Sequence, residues 1–380
     1  MTAGVVIFVA AIVIVVMIHE SGHFFTAKAF GIKVTQFFVG FGPRLWSTRR
    51  GETEYGIKAF PFGGYVRIAG MNPFEEVPVE EQPRTFQAKP IWQRAVVIAT
   101  GPVTHFFMAV VIAAVFLIAV GVPDRFHVEI GSVEPRLNGN PSPAAVAGLR
   151  AGDRVVAVGG RSVPTTSDAS GLIIRTTRGH VGRPLDLEVL RGDRRLSFQV
   201  TPVLSDVDGE PVGRIGTILV TEVDGYQRYN PIAAVGRGAV ATYDTAVAVI
   251  GRLGDVFGPS GLKRIFDQLT GAQPRGAGDV QSVVGGGRTL VQAASEFGFW
   301  PAFLQLLISF NVFIGILNLV PLPPLDGGHL AVLAYEKVRR RRPDIRKLIP
   351  LTAVVAAFMI LFAISITYLD IVSPLPNQFR

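Results

Sequence analysis

Three uncharged stretches, Ala95–Val122 (28 residues), Phe297–Leu325 (29 residues) and Leu348–Leu369 (22 residues), each meet the roughly 20 apolar residues that a helix needs to cross a ~30 Å hydrocarbon core. A fourth candidate, about Thr2–Ala27, is uncharged as far as Ile18. In hydrocarbon every backbone N–H and C=O must find its partner within the protein, so such runs can only be spanning helices. Composition says that they are not the whole chain. At 49% hydrophobic residues and mean hydropathy +0.39, the 380-residue sequence is too apolar for an ordinary soluble protein and too mixed for membrane helices alone.

The fold expected is a polytopic α-helical membrane protein with four transmembrane helices, a membrane-associated β-hairpin and an inserted extracytoplasmic domain. Its parts are a first helix in 1–30, a hairpin and loop in 31–94, a second helix in 95–122, an inserted domain in 124–205 and an amphipathic linker in 206–296. A third helix follows in 297–330, then a basic loop in 331–347 and a fourth helix in 348–372. The formal net charge of +8 does not point to nucleic acid, because the basic residues gather beside the apolar runs. Lys28, Lys33, Arg44, Arg49, Arg50, Lys58, Arg67, Arg84, Lys89 and Arg94 lie between the first two spans, and seven more lie within Tyr335–Lys347. The positive-inside bias puts both loops in the cytoplasm, and the termini and segment 123–296 outside. Arg339–Arg342 reads as a topology anchor rather than a binding patch. The chain has no cysteine, so neither a disulfide framework nor a thiolate metal site is possible.

His19-Glu20-Ser21-Gly22-His23 follows directly on the first apolar run. Residues four apart share a helical face, so both imidazoles can reach one Zn²⁺, while Glu20 can take a proton from a water at that metal. A chance match is the competing reading, but only six histidines are present, and a carboxylate in a membrane helix costs about 2.5–3.5 kcal/mol, which marks it as functional. A signal peptide is disfavoured because no basic residue precedes the run. Two histidines leave a catalytic zinc one protein ligand short. Asn318-Leu319-Val320-Pro321-Leu322-Pro323-Pro324-Leu325-Asp326-Gly327-Gly328-His329 interrupts the third run with prolines and ends in an acid. Broken helix is tolerated at membrane depth only beside protein or a polar cavity, which favours Asp326 as the third ligand over His329, with helix capping as its plain alternative. Asn318 either donates to a substrate carbonyl or satisfies the broken helix.

These residues resemble the site-2 proteases, intramembrane zinc metalloproteases, of the bacterial regulator-of-sigma-E protease type with one PDZ domain. The resemblance runs through HExGH, Val39-Gly40-Phe41-Gly42-Pro43, Leu45-Trp46, Glu54-Tyr55, Pro61-Phe62-Gly63-Gly64-Tyr65-Val66, Gly101-Pro102 and NxxPxPxLDGG. It implies His19, His23 and Asp326 as zinc ligands, Glu20 as catalytic base, and a multi-pass protein of the bacterial cell membrane with its site near the cytoplasmic face. It also implies single-pass membrane substrates of the anti-sigma-factor type, and remnant signal peptides. His105 departs from the pattern, since relatives commonly carry Asn there, and a role as fourth ligand is not expected.

A helical substrate must be opened to be cut. In Lys33–Gly70 the alternation of Glu54–Ala59 and the glycines at 40, 42, 51, 63 and 64 suit a hairpin, and Phe37, Phe38, Phe41, Trp46, Phe60, Phe62 and Tyr65 suit the membrane interface. An edge strand there is expected to pair with unwound substrate. Ser142–Val163 looks like the helix, turn and strand core of a PDZ domain, which takes peptide ends by strand addition or acts as a size filter. Pro231–Leu269 reads as helices on the outer membrane face, and Gly271–Gly287 as a loop. Against the intramembrane endopeptidase stand a catalytically silent PDZ adaptor, a metalloprotease with a cytoplasmic site and a transporter. The intact acid and histidines oppose the first, the lack of a helical acid in 52–81 the second, and the lack of an inverted repeat the third.

Overall fold

The computed structural model describes residues 2–72, 75–207, 210–276, 278–341 and 344–376, so Arg342 and Pro343 of the basic loop lie outside the described residues. In chain order, α1 (Thr2–Ala29), β1 (Val34–Arg50), β2 (Thr53–Ile68) and α2 (Ile91–Ala119) come first. A strand-rich stretch follows: β3 (Val122–Val133), β4 (Arg136–Leu137), β5 (Asn140–Pro141), α3 (Pro143–Ala147), β6 (Arg154–Val158), β7 (Arg161–Ser162) and α4 (Ala169–Gly179), then β8 (Leu185–Arg191), β9 (Arg194–Val200), β10 (Val203–Val207), β11 (Glu210–Arg214) and β12 (Thr217–Gln227). Among the described residues six α-helices follow: α5 (Pro231–Phe257), α6 (Pro259–Leu269), α7 (Val283–Phe297), α8 (Phe299–Leu319), α9 (Asp326–Arg339) and α10 (Ile349–Val372). Residues 1–116 with 230–380 form one compact unit, and Leu117–Tyr229 a second.

Among the described residues four helical segments are long and apolar enough to cross a membrane: Val6–Ala29, Ile91–Ala119, Phe299–Leu319 and Arg346–Val372. The chain is a polytopic membrane protein with an inserted β-rich unit. The third helix, expected over 297–330 with a proline interruption, is two helices: α8 stops at Leu319 and a new helix begins at Asp326. Prolines at 321, 323 and 324 lack the N–H that a continuing helix needs. The glycines after Asp326 are a packing requirement: a Cβ on Gly327 would lie 2.3 Å from the carbonyl oxygens of Leu319 and Val320, and one on Gly328 2.4 Å from Pro323 N.

The expected loop over Gly271–Gly287 is helical in its last part, since α7 takes in Gly285, Gly286 and Gly287. These glycines let other groups come close. A Cβ on Gly285 would lie 2.4 Å from Asp370 Oδ2, and one on Gly286 3.3 Å from the Phe8 ring. Asp370 is 1% exposed, pairs with buried Arg275 at 2.6 Å and accepts from the Ser282 N–H at 2.6 Å, which ties the start of α7 to the end of α10. The 27-residue α5 packs into the helix bundle: a Cβ on Gly238 would lie 3.1 Å from the Val110 carbonyl of α2, and Ala246, Val249 and Leu253 cover Ile308, Val312 and Ile316 of α8.

Strands β1 and β2 make more than a hairpin. Gln36, Phe37, Phe38 and Val39 face Arg67, Val66, Tyr65 and Gly64 on one side, and Glu54, Tyr55, Gly56 and Ile57 on the other. Thr48, Arg49 and Arg50 face Tyr55, Glu54 and Thr53. Each long strand therefore serves as two runs, giving a four-run sheet in the order 44–50, 53–58, 34–39, 64–68. The fold-back of β1 needs Gly40 and Gly42, both at positive φ (+81° and +87°), where a Cβ would lie 2.5 Å from the Phe60 carbonyl oxygen and ring respectively. The run Gly64–Ile68 is an edge, and it lies beside α1: a Cβ on Gly64 would lie 2.4 Å from Met17 Sδ.

The second unit extends to Tyr229, wider than the 124–205 read from sequence, because β12 pairs with β3 along its length. Its main sheet runs β12-β3-β6-β8-β9, with β7 beside β6. Alternate residues Leu185, Leu187 and Val189 of β8 are 1%, 1% and 0% exposed, which gives one face to the core. Ala169, Ile173 and Thr177 form the buried stripe of α4. The short α3 is held at both ends: Ser142 Oγ caps Ala145 N–H at 3.2 Å, and Gly148 leaves in the left-handed region at φ 83°. Beyond it, fully buried Asp153 accepts from Arg191 Nε at 2.7 Å and from the Arg150 N–H at 2.8 Å, while Arg191 also donates to the Gly148 carbonyl at 2.8 Å.

Burial opposes the charge on Asp153, but the Arg191 guanidinium and the Arg150 N–H outweigh it and hold the carboxyl below its ordinary value. A carboxyl with a depressed folded pKa contributes stability that is present above its unfolded pKa, about 4, and lost as pH falls through the folded value. Circular dichroism melts of the full chain should show the β-sheet transition losing stability below about pH 4. Asp153→Asn should lower that transition by roughly 1–3 kcal/mol at pH 7 and flatten the acid limb. An unchanged acid limb would remove Asp153 from the explanation.

Candidate metal centre

The first helix presents His19 and His23 on one face, one turn apart, and both are buried. Asp326 stands in the first turn of α9, where the positive end of the helix dipole favours a carboxylate. The fold brings the three together. His19 Nε2 and His23 Nε2 are 3.2 Å apart, and Asp326 Oδ2 lies 3.3 Å from the first and 3.4 Å from the second. These three residues form a group whose ligand atoms could hold a metal ion.

The distances fit such an ion. Tetrahedral coordination with N and O bonds near 2.0–2.1 Å sets ligand atoms about 3.3–3.4 Å apart. Asp326 Oδ2 is buried and without a hydrogen-bond donor among the described residues, which is how a carboxylate oxygen sits when a cation completes it. The His23 tautomer also agrees: Nδ1 faces the Val97 carbonyl at 2.8 Å, a carbonyl can only accept, and the neutral ring therefore turns the Nε2 lone pair to the cluster.

Helix α2 is shaped around these rings. A Cβ on Gly101 would lie 2.3 Å from His23 Nε2 and 2.7 Å from His19 Cε1, so no larger residue fits there without moving them. Pro102 follows, which leaves the turn at Ile98 without its N–H donor beside the carbonyl that receives His23. The same helix is clamped to α9: buried Arg94 donates to both carboxylate oxygens of Glu336, at 2.9 Å and 2.8 Å, and to the Lys89 carbonyl at 3.0 Å. Asp326 is thereby referenced to the helix that seats the histidines.

Glu20, half-buried, turns its carboxylate to the backbone of Val66 on the sheet edge. Asn318 is half-buried on α8. It lies two turns from Asn311, on the same helical face. Asn311 is fully buried and faces His105 Nδ1 at 3.2 Å, and between the two asparagines a Cβ on Gly315 would lie 3.1 Å from the His105 Cβ. His105 is 1% exposed, its ring centre 4.9 Å from that of His19. His329 is outside the three-residue group and lines a cavity of about 590 Å³ with Tyr65, Val66, Arg67, Ile68 and Met71.

Gly101, Asn311 and the Arg94–Glu336 pair have no role that the sequence alone assigns. The signal for Asn311 was available, as an amide within an uncharged apolar run. Gly101 and the ion pair depend on contacts between distant segments, which spacing does not show.

The profile of peptidase family M50 matches residues 7–362. The chain is 35% identical to the zinc metalloprotease Rip1 of Mycolicibacterium smegmatis, over 98% of both chains. It is 31% identical to the protein of the same name from Mycobacterium tuberculosis, again over 98% of both. It is 30% identical to the metalloprotease MmpA of Caulobacter vibrioides, over 86% of this chain and 85% of that one. With the family profile spanning nearly the whole sequence, and full-length relatives at this identity, the chain belongs to peptidase family M50.

Proposed function

We propose that this protein is a zinc-dependent endopeptidase that cuts single-pass membrane proteins within the membrane, with Zn²⁺ held by His19, His23 and Asp326. The observation that carries the reading is the convergence of two histidine nitrogens and one carboxylate oxygen, 3.2–3.4 Å apart, among helices apolar enough to span a bilayer. When bound, the metal supplies a polarised carbonyl and a water of lowered pKa. Glu20 takes the proton of the attacking water as oxygen adds to the scissile carbonyl, and returns it to the amide nitrogen as the C–N bond breaks. Asn318, on the face of α8 that carries Asn311, donates to the carbonyl oxygen as it gains charge.

The substrate enters as an extended strand along Gly64–Ile68. This run is a sheet edge, its Val66 backbone faces Glu20, and the cavity of about 590 Å³ opens beside it. Phe41 (48%), Leu45 (68%), Trp46 (58%) and Phe60 (55%) are exposed on the same sheet and suit it to the bilayer interface. The positive-inside bias of the basic loops supports a topology with the termini and the β-rich unit outside the cytoplasm and the site towards the cytoplasmic face. We read the β-rich unit as a PDZ domain that receives peptide ends or filters substrates by size, and substrates of the anti-sigma-factor type, or remnant signal peptides, as the targets.

Three variants test this account with a tagged single-pass substrate, truncated on its outer side, in proteoliposomes. Glu20→Gln should keep its zinc and lose at least about 10²-fold in cleavage rate; loss of the metal as well would make Glu20 a structural group. Gly101→Ala places a methyl group against both imidazoles, so zinc content by atomic emission should fall well below one per folded chain, and a full complement would contradict the crowding described. Val66→Pro removes one N–H from the edge, and cleavage should fall more than about tenfold at unchanged zinc content. Native rates from a folded Val66→Pro protein would end the strand-pairing idea.

A further inference from the structure

Next to the metal-binding group stands a buried imidazole with no role so far. The His105 ring centre is 4.9 Å from that of His19, and its Nδ1 lies 3.2 Å from Asn311 Oδ1. Asn311 in turn donates its Nδ2 to the Leu307 carbonyl at 2.8 Å. That carbonyl can only accept, so the amide must present Oδ1 to α2, and His105 must donate from Nδ1. The neutral His105 ring therefore keeps its lone pair on Nε2.

His19 has the complementary deficit. Its Nε2 faces Asp326 and His23, while its Nδ1 is buried with no hydrogen-bond partner among the described residues. A neutral imidazole that gives Nε2 to a metal carries its proton on Nδ1. A buried N–H in need of an acceptor thus lies beside a ring whose tautomer is fixed to offer one. His23 already has such a partner in the Val97 carbonyl.

We infer that His105 is the positioning residue of His19: its Nε2 accepts the His19 Nδ1 proton through one bridging water, and Asn311 fixes the tautomer that allows it. This rests on the zinc-site reading above. Acceptors of this kind orient ligating histidines, and their loss typically lowers metal affinity about 10–100-fold.

The test compares the native full chain with His105→Leu and His105→Asn in nanodiscs, by chelator competition for zinc and by the visible spectrum of the Co²⁺-loaded proteins. His105→Leu, shown to be folded by its melt, should bind zinc about 10–100-fold more weakly and shift the Co²⁺ bands. His105→Asn, whose amide oxygen can accept the same proton, should recover most of the affinity. Native affinity and a native spectrum in folded His105→Leu would overturn the positioning role alone, whereas a native chain that binds no metal would overturn the zinc-site reading and this inference with it. Nitrogen-15 spectra of the histidines in the native chain need no variant to fold: they should show His105 as the Nδ1–H tautomer, and an Nε2–H tautomer would overturn the proposal.

Discussion

The structure depends on holding two imidazoles and a carboxylate against one another where water is scarce. Each charged group placed in a membrane helix costs about 2.5–3.5 kcal/mol, and that cost is tolerable only if a partner completes it. Asp326 Oδ2, buried and lacking a donor, would be a liability in an inert membrane protein. With a cation between it and the histidines, the same arrangement becomes a saturated site, and the surrounding helices read as the framework that keeps three ligand atoms within 3.4 Å.

That framework is made of close approaches. Gly101 leaves room for the rings, Gly327 and Gly328 bring the Asp326 helix down onto the proline-broken segment, and Gly315 lets α8 approach His105. Without a hydrophobic driving force between helices in lipid, small residues at contacts and a few polar ties carry much of the specificity. Arg94 with Glu336 and Arg275 with Asp370 are such ties, each bidentate or multiply bonded and nearly free of solvent. Breaking one partner of a buried pair is strongly destabilising, by about 3–5 kcal/mol. The first pair bears on the geometry of the three-residue group because it joins the helix of Gly101 to the helix of Asp326.

Much of this was readable from sequence because the informative contacts are local. HExGH needs only one helical turn, and the apolar runs need only length, so the four spans and the histidine pair follow from spacing. Asp326 was reachable because prolines and glycines around an acid are conspicuous in an uncharged run. Other features resisted for a physical reason: they depend on partners far away in the chain. Two long strands that each fold back into two runs look, in sequence, like one hairpin. Three consecutive glycines look like a loop until Asp370 and Phe8 occupy the space that their side chains would take. The β12 strand looks like linker because its pairing residues in β3 lie 84 to 105 positions earlier. Asn311 and Asn318 share a helical face, yet only the packing of α8 on α2 shows that Asn311 is the one bonded to His105.

The most direct measurement of the central claim is zinc K-edge X-ray absorption on the native chain purified without added metal. The account predicts one zinc per chain with a first shell of two imidazole nitrogens and oxygen at about 2.0–2.1 Å. A folded protein with no bound zinc, or zinc in a shell without imidazole scattering, would contradict it.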